Sequence, residues 1–303
     1  LAEDHVEKLL ARLDDLYPRL REWHDAGSVI GSVCTGSFLV VRAGLSMRGS
    51  VASVGANRRV GMDKWLGRTA ADLGRAIGAG KLHPVDLTEA YLEAIASHPD
   101  APRIYARTTP RRAQSMAMAA AQRARSGTRI GLLDGVPLSW KDNFDAAGAV
   151  CEAGSALLKG RTPARDAEVL ETATLQGLVC LGKTHMSELA FSGLGLNPVT
   201  ATPPCINDPE AVPGGSSSGS AAAVADFQSV LATGTQTGGS VIRPAAYCGV
   251  VGYKPTFGDF NRVGIKMQCH SVDTLGLMAR TLDDIALFRA AVLKLPPVLI
   301  DRD

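Results

Sequence analysis

Two glycine–serine loops lie close together within residues 213–244, Gly214-Gly215-Ser216-Ser217-Ser218-Gly219 and Gly238-Gly239-Ser240. A serine flanked by glycines is a candidate nucleophile, because glycine lets a substrate approach backbone N–H groups that can serve as oxyanion donors. One such cluster alone reads as a turn or linker. Here both are bordered by apolar sequence, with a helix-then-strand stretch from Ala221 to Thr233 between them, and the pair reads as a site. Two further motif matches fail on context. Residues 215–219 fit the G-x-S-x-G elbow, which needs a buried strand just before it, whereas Asn207-Asp208-Pro209-Glu210-Ala211-Val212-Pro213 is no strand. Gly177 to Thr184 fit G-x-x-x-x-G-K-T, yet a P-loop needs a phosphate-wrapping loop between its glycines. Leu178 to Leu181 are apolar there and read as the strand itself.

A nucleophilic serine needs a base. Gly135-Val-Pro-Leu-Ser-Trp-Lys141-Asp142-Asn143 carries the chain through a short apolar strand into Lys141. Burial strips a lysine of hydration and lowers its pKa, which is how it becomes a general base. On this stretch alone, a Lys141 salt-bridged to Asp142 or another carboxylate is an equal reading. His185, just after a strand, and His270 are the histidine alternatives; no aspartate is recognisably placed to orient His185, and His270, beside Cys269 and Ser271, suggests a Cys–His pair of a kind that sequence neighbours seldom form.

Capped helices alternate with short apolar strands around these residues, which indicates α/β layering. Thr69-x-x-Asp72, Asp86-x-x-Glu89 and Thr281-x-x-Asp284 read as capping boxes. They open helices over Ala70 to Ala79, Leu87 to Ser97 and up to Leu293. Thr109-Pro110 starts an alanine-rich helix to Ser126. Asp166 caps a helix from Ala167 to Gln176, strands are expected at Leu178 to Leu181 and Val250 to Tyr253, and short helices at Met186 to Ala190 and after Pro244.

The 303 residues allow one large or two ordinary domains, and 46% hydrophobic residues suffice for a sizeable core. A formal net charge of +2 argues for neither nucleic acid nor an anionic membrane as partner. No apolar run is long enough to span a bilayer, and no signal peptide is visible. Six scattered cysteines lack metal spacing, so reduced thiols in a cytoplasmic protein are expected. The first residue is not Met, and the chain reads as a fragment.

From Gly61 onward the chain resembles the amidase signature family of serine hydrolases. The likeness rests on Gly135 to Asn143, on Gly182-Lys-Thr-His-Met-Ser-Glu-Leu-Ala-Phe191, and on Pro213 to Ala221 continuing through Gly238-Gly239-Ser240 to Gly252-Tyr-Lys-Pro-Thr256. Residues 5–50, with Val33-Cys34-Thr35-Gly36, resemble a piece of a PfpI-type domain, in which Cys34 is either buried or reactive. The organisation expected is a PfpI-like fragment with linker over 1–60 and an amidase signature domain over 61–303. The fold implied is α/β, a mixed central sheet covered by helices on both faces and incomplete at its C-terminus.

The amidase resemblance implies a Ser–cis-Ser–Lys triad. Ser240 is then the nucleophile, Ser216 the bridging serine on a non-proline cis peptide, and Lys141 the base. The backbone N–H groups of Thr237, Gly238, Gly239 and Ser240 form the oxyanion hole, and Ser217 supports the network. Gln236 stands where aspartate is more usual, and Arg243 lies three residues past Ser240 instead of two. Both departures resemble a malonamidase-like branch in which that arginine grips a substrate carboxylate; the alternative is an Arg243 paired with a structural aspartate. The implied activity is hydrolysis of a small carboxamide to carboxylate and ammonia, without metal or organic cofactor, with homodimerisation left open. The rival readings are the glutaminase-type subunit of a tRNA-dependent amidotransferase and an inactive truncated fusion.

Overall fold

The computed structural model of the chain describes residues 63–296. The PfpI-like stretch with Cys34, and the domain boundary before residue 61, lie outside the described residues.

The helices are α1 Asp63–Leu66, α2 Ala70–Gly78, α3 Pro84–Ser97, α4 Ala101–Ile104, α5 Pro110–Ser126, α6 Glu168–Leu175, α7 Ser218–Ala225, α8 Ile242–Tyr247 and α9 Leu282–Leu293. The strands are β1 Tyr105–Thr108, β2 Pro137–Lys141, β3 Val179–Thr184, β4 Leu231–Gln236, β5 Val251–Tyr253 and β6 Thr274–Ala279. They form one mixed sheet in the order β1-β3-β2-β4-β6-β5. The central strands β3, β2 and β4 run parallel, while β1, β6 and β5 pair antiparallel to their neighbours.

Two apolar layers explain the architecture. On β6, Leu275, Leu277 and Ala279 face the larger core with Leu73, Tyr91, Trp140 and Phe288, while Met278 faces a second core with Val224, Val241, Ala245 and Cys248. Leu231 and Ala232 of β4 divide in the same way, as strand alternation demands. Helices α2, α3 and α9 thus contribute to one layer and α8 to the other, while α7 places Ala222 and Ala223 in the first and Ala221, Val224 and Ala225 in the second.

Local sequence accounts for several helix ends. The side chains of Thr69 and Thr281 accept from Asp72 N and Asp284 N at 3.0 and 3.1 Å, each a cap worth about 1 kcal/mol. Gly127 closes α5 in a left-handed conformation at φ 71°. Other expectations are corrected. Asp86 does not cap, because Pro84 takes the first helical position and places Asp86 inside the first turn. Asp166 is drawn away from its helix by Arg112 and the Ala147 amide, leaving Ala167 at the cap. Residues 186–190 make only a 3₁₀ turn at Glu188–Ala190, with left-handed Leu189 and Ala190. Pro244 lies within α8 instead of opening it.

Candidate active site

Lys141 ends β2, and Thr235 and Gln236 end the adjacent parallel strand β4. The carboxyl edge of parallel strands, where chains turn into loops, is where α/β folds place their sites. Lys141 is fully buried, and its Nζ lies within hydrogen-bond distance of Ser216 Oγ at 2.8 Å, Thr235 Oγ1 at 2.8 Å and the Thr235 carbonyl at 3.4 Å. Asn143 Nδ2 donates to the same threonine hydroxyl at 3.0 Å. Burial pushes the Lys141 ammonium down to about 7, against an upward pull from the Asp273 carboxylate. No salt bridge to Asp142 forms; that carboxylate lies 3.2 Å from Arg107 Nη1 and 3.4 Å from Lys183 Nζ.

The peptide bond between Gly215 and Ser216 is cis. Ser216 and Ser217 are both buried, and the Ser216 carbonyl accepts from Ser187 N at 3.1 Å. Ser217 N donates to the Ser240 carbonyl at 3.1 Å, tying the first glycine–serine loop to the second. The Ser217 hydroxyl lies 3.3 Å from both the carbonyl and the amide of Thr235, so it braces β4 where Thr235 meets Lys141.

Ser240 is 7% exposed. The amides of Gly238, Gly239 and Ser240 donate to no acceptor among the described residues, an arrangement that suits an incoming oxyanion. Gln236 fixes the far side of this loop, its Oε1 accepting from Val241 N at 2.8 Å and Ile242 N at 3.0 Å. At the near side the Thr237 hydroxyl donates to Asp273 Oδ1, with Gln268 Oε1 a second neighbour of its oxygen at 2.8 Å. Arg243 is half-buried, donates to the Gly215 carbonyl at 3.2 Å, and lies against Gly193 and Gly239. No carboxylate among the described residues pairs with it.

Neither histidine joins the group. Burial holds the His185 imidazole below the usual histidine range, and its Nδ1 has no partner. His270 is exposed. Lys183 lies within β3, buried against Asp142, the Phe144 carbonyl and Cys151 Sγ, so no phosphate loop exists at Gly177 to Thr184. Thr235 and Asp273 are not legible in the sequence as site residues, because their places beside Lys141 and Thr237 depend on which strands become neighbours.

Comparison with known proteins defines the class. The Amidase family profile matches residues 86–299, and the chain belongs to that family. A glutamyl-tRNA(Gln) amidotransferase subunit of Thermobifida fusca (strain YX) is 41% identical over 232 residues, 76% of this chain and 46% of the relative. The peptide amidase of Stenotrophomonas maltophilia superposes with a TM-score of 0.70 at 36% identity, covering 78% of this chain and 48% of its own. A structure described as a vestigial protein complex bearing on the origins of an s-triazine catabolic enzyme has a TM-score of 0.72 at 32% identity, with 74% and 50% coverage. The chain spans about half the length of the curated relatives it matches.

Proposed function

We propose that this chain is a serine amidase that hydrolyses a small carboxamide through an acyl-enzyme on Ser240. The single observation that carries the reading is Lys141, buried beside Ser216 and brought to about 7, so that near neutrality it can hold or release a proton. A neutral Lys141 amine has two N–H bonds for the Thr235 oxygens and a lone pair for the Ser216 hydroxyl, which matches its three contacts.

Ser240 Oγ attacks the amide carbon while its proton passes to Ser216 Oγ, whose own proton moves to Lys141 Nζ. The carbonyl oxygen, now an oxyanion, takes N–H bonds from the loop of Thr237, Gly238, Gly239 and Ser240. The protons return through Ser216 to the leaving nitrogen, the C–N bond breaks, and ammonia departs. Water then attacks the Ser240 ester by the same relay, releasing carboxylate and regenerating both serines. Ser217 holds β4 and the Ser240 carbonyl in register and takes no proton. Arg243, beside Gly239 with no carboxylate partner among the described residues, is the group that would receive a carboxylate on the substrate. We assign this activity to the unit spanning 61–303.

The test is a fluorophosphonate probe with mass spectrometry of the modified peptide. Labelling at Ser240, lost in Ser240→Ala, is the expected result; an unlabelled, folded chain would refute the proposal. The relatives named as glutamyl-tRNA(Gln) amidotransferase subunits favour a second reading, in which the same site releases ammonia from glutamine for a partner. Co-purification of partner subunits, with glutamine preferred over simple amides, would select it.

A further inference from the structure

We infer that Asp273 is a positioning residue of this site, its carboxylate anchoring the Ser240 loop through Thr237 and serving as the counter-anion of Lys141. The inference rests on the amidase reading for what the site does, and on contacts of its own for what Asp273 does. Asp273 is 2% exposed and precedes β6, beside the point where Gln236 pairs with Thr274. Its Oδ1 accepts from the Thr237 hydroxyl, and its Oδ2 from the amides of Gln268 at 2.6 Å and Cys269 at 2.9 Å. Arg262 reaches only its backbone carbonyl, at 3.0 Å. The carboxylate is thus satisfied by neutral donors, and its negative charge is left unneutralised in a buried setting, where its field reaches further than in water.

Lys141 is the cation this field acts on: its Nζ is bonded to Thr235, two residues before the Thr237 that Asp273 holds, on the strand that pairs with β6 just after Asp273. The other charged groups around the site are engaged elsewhere or point away. Asp142, next along the chain, is held by Arg107 and Lys183. Lys183 of the adjacent strand donates to the Phe144 carbonyl. In the 262–273 segment, Arg262 holds the His270 and Asp273 carbonyls and Lys266 is exposed. Arg243 of α8 is bonded to Gly215 O. No hydrogen bond joins Asp273 to Lys141, so the carboxylate leaves the amine free to accept a proton from Ser216. It then stabilises the ammonium that forms. The same residue fixes the first residue of the oxyanion loop and steadies the charge created when that loop is used.

Asp273→Asn removes the charge but keeps an acceptor for Thr237, whereas Thr237→Val removes the anchor but keeps the charge. With ¹³Cε-lysine in the chain, and Lys141→Met to assign the signal, the Lys141 titration midpoint is read by NMR without reference to activity. It should fall in Asp273→Asn and stay in place in Thr237→Val. The fluorophosphonate rate should mirror this. At pH 6, expressed against its own plateau, it should rise about two- to tenfold in Asp273→Asn, while Thr237→Val lowers the plateau and leaves the limb where it was. Asp273→Ser, which places no misdirected donor against Gln268 and Cys269, repeats the measurement if the asparagine variant fails to fold. A Lys141 midpoint unmoved in a folded, uncharged variant overturns the inference and reduces Asp273 to a loop brace. A parent chain that takes no probe, yet whose Lys141 midpoint still falls on removal of Asp273, supports the counter-anion and overturns the amidase reading instead.

Discussion

Replacing Lys141 by methionine should abolish activity and, near neutral pH, stabilise the protein. The folded-state pKa of Lys141 lies near 7 against an ordinary 10.5. Between those values the unfolded chain binds a proton that the native chain does not, so stability rises with pH across that window. At about 1.4 kcal/mol per pH unit, burying this amine costs about 4–5 kcal/mol at pH 7 and about 2 kcal/mol at pH 9. Methionine fills nearly the same volume without that cost. It leaves the Ser216 hydroxyl without its partner, while Thr235 Oγ1 keeps the Asn143 bond; one stranded buried hydroxyl costs about 1–2 kcal/mol. Lys141→Met should therefore be more stable by about 2–4 kcal/mol at pH 7, with the advantage vanishing between about pH 9 and 10. The assay is urea unfolding of both chains from pH 6 to 10, compared at equal m-values. Other groups titrating in this range are common to both and cancel in the difference. Parallel stability curves would show that Lys141 keeps its ordinary proton in the folded state, and the argument for it as a base would fall.

Four further outcomes are expected. The rate of acylation should rise with pH through about 7 and level off, following the neutral fraction of Lys141; a limb that moves only in His185→Ala would point to the histidine. Probe labelling should be nearly lost in Lys141→Ala and leave a small residue in Ser216→Ala, read by intact mass; full labelling in Lys141→Ala would remove that lysine from the mechanism. Arg243→Ala should cost about 1.5–3 kcal/mol in kcat/KM for short amides bearing a carboxylate and little for matched neutral amides, and equal losses on both would mean that the arginine only braces the loop. Gln236→Ala should lower kcat and cost about 1–2 kcal/mol of stability by freeing two amides at the start of α8, whereas Gln236→Glu, which keeps the acceptor oxygens, should restore most of it; a silent alanine variant would discount the cap.

Much of this was legible in the chain itself, but unevenly. Thr69 and Thr281 announce their helices because capping is settled within three residues, and the glycine–serine loops announce a serine site for similarly local reasons. Asp86 and Asp166 misled, since a neighbouring proline in one case and a distant Arg112 in the other redirect a carboxylate that looks like a cap. Strand β6 went unread because it is buried throughout and interrupted by Gly276, so it shows no polar alternation. With β6 unread, its neighbour Asp273 could not be set beside Thr237. Thr235 likewise looks like an ordinary strand residue until β4 is known to lie next to β2.

The contacts that hold Lys141 join residues 75 and 94 positions apart, the first reaching the loop before α7 and the second the neighbouring strand β4. Loops of that length close late, because chain entropy must be lost before such contacts offer any return. No partial structure confined to one end of the chain can therefore lower the lysine's pKa or set Ser216 beside it. A probe that needs the whole arrangement counts native molecules, and in a refolding experiment the appearance of reactive serine should coincide with completion of the central sheet.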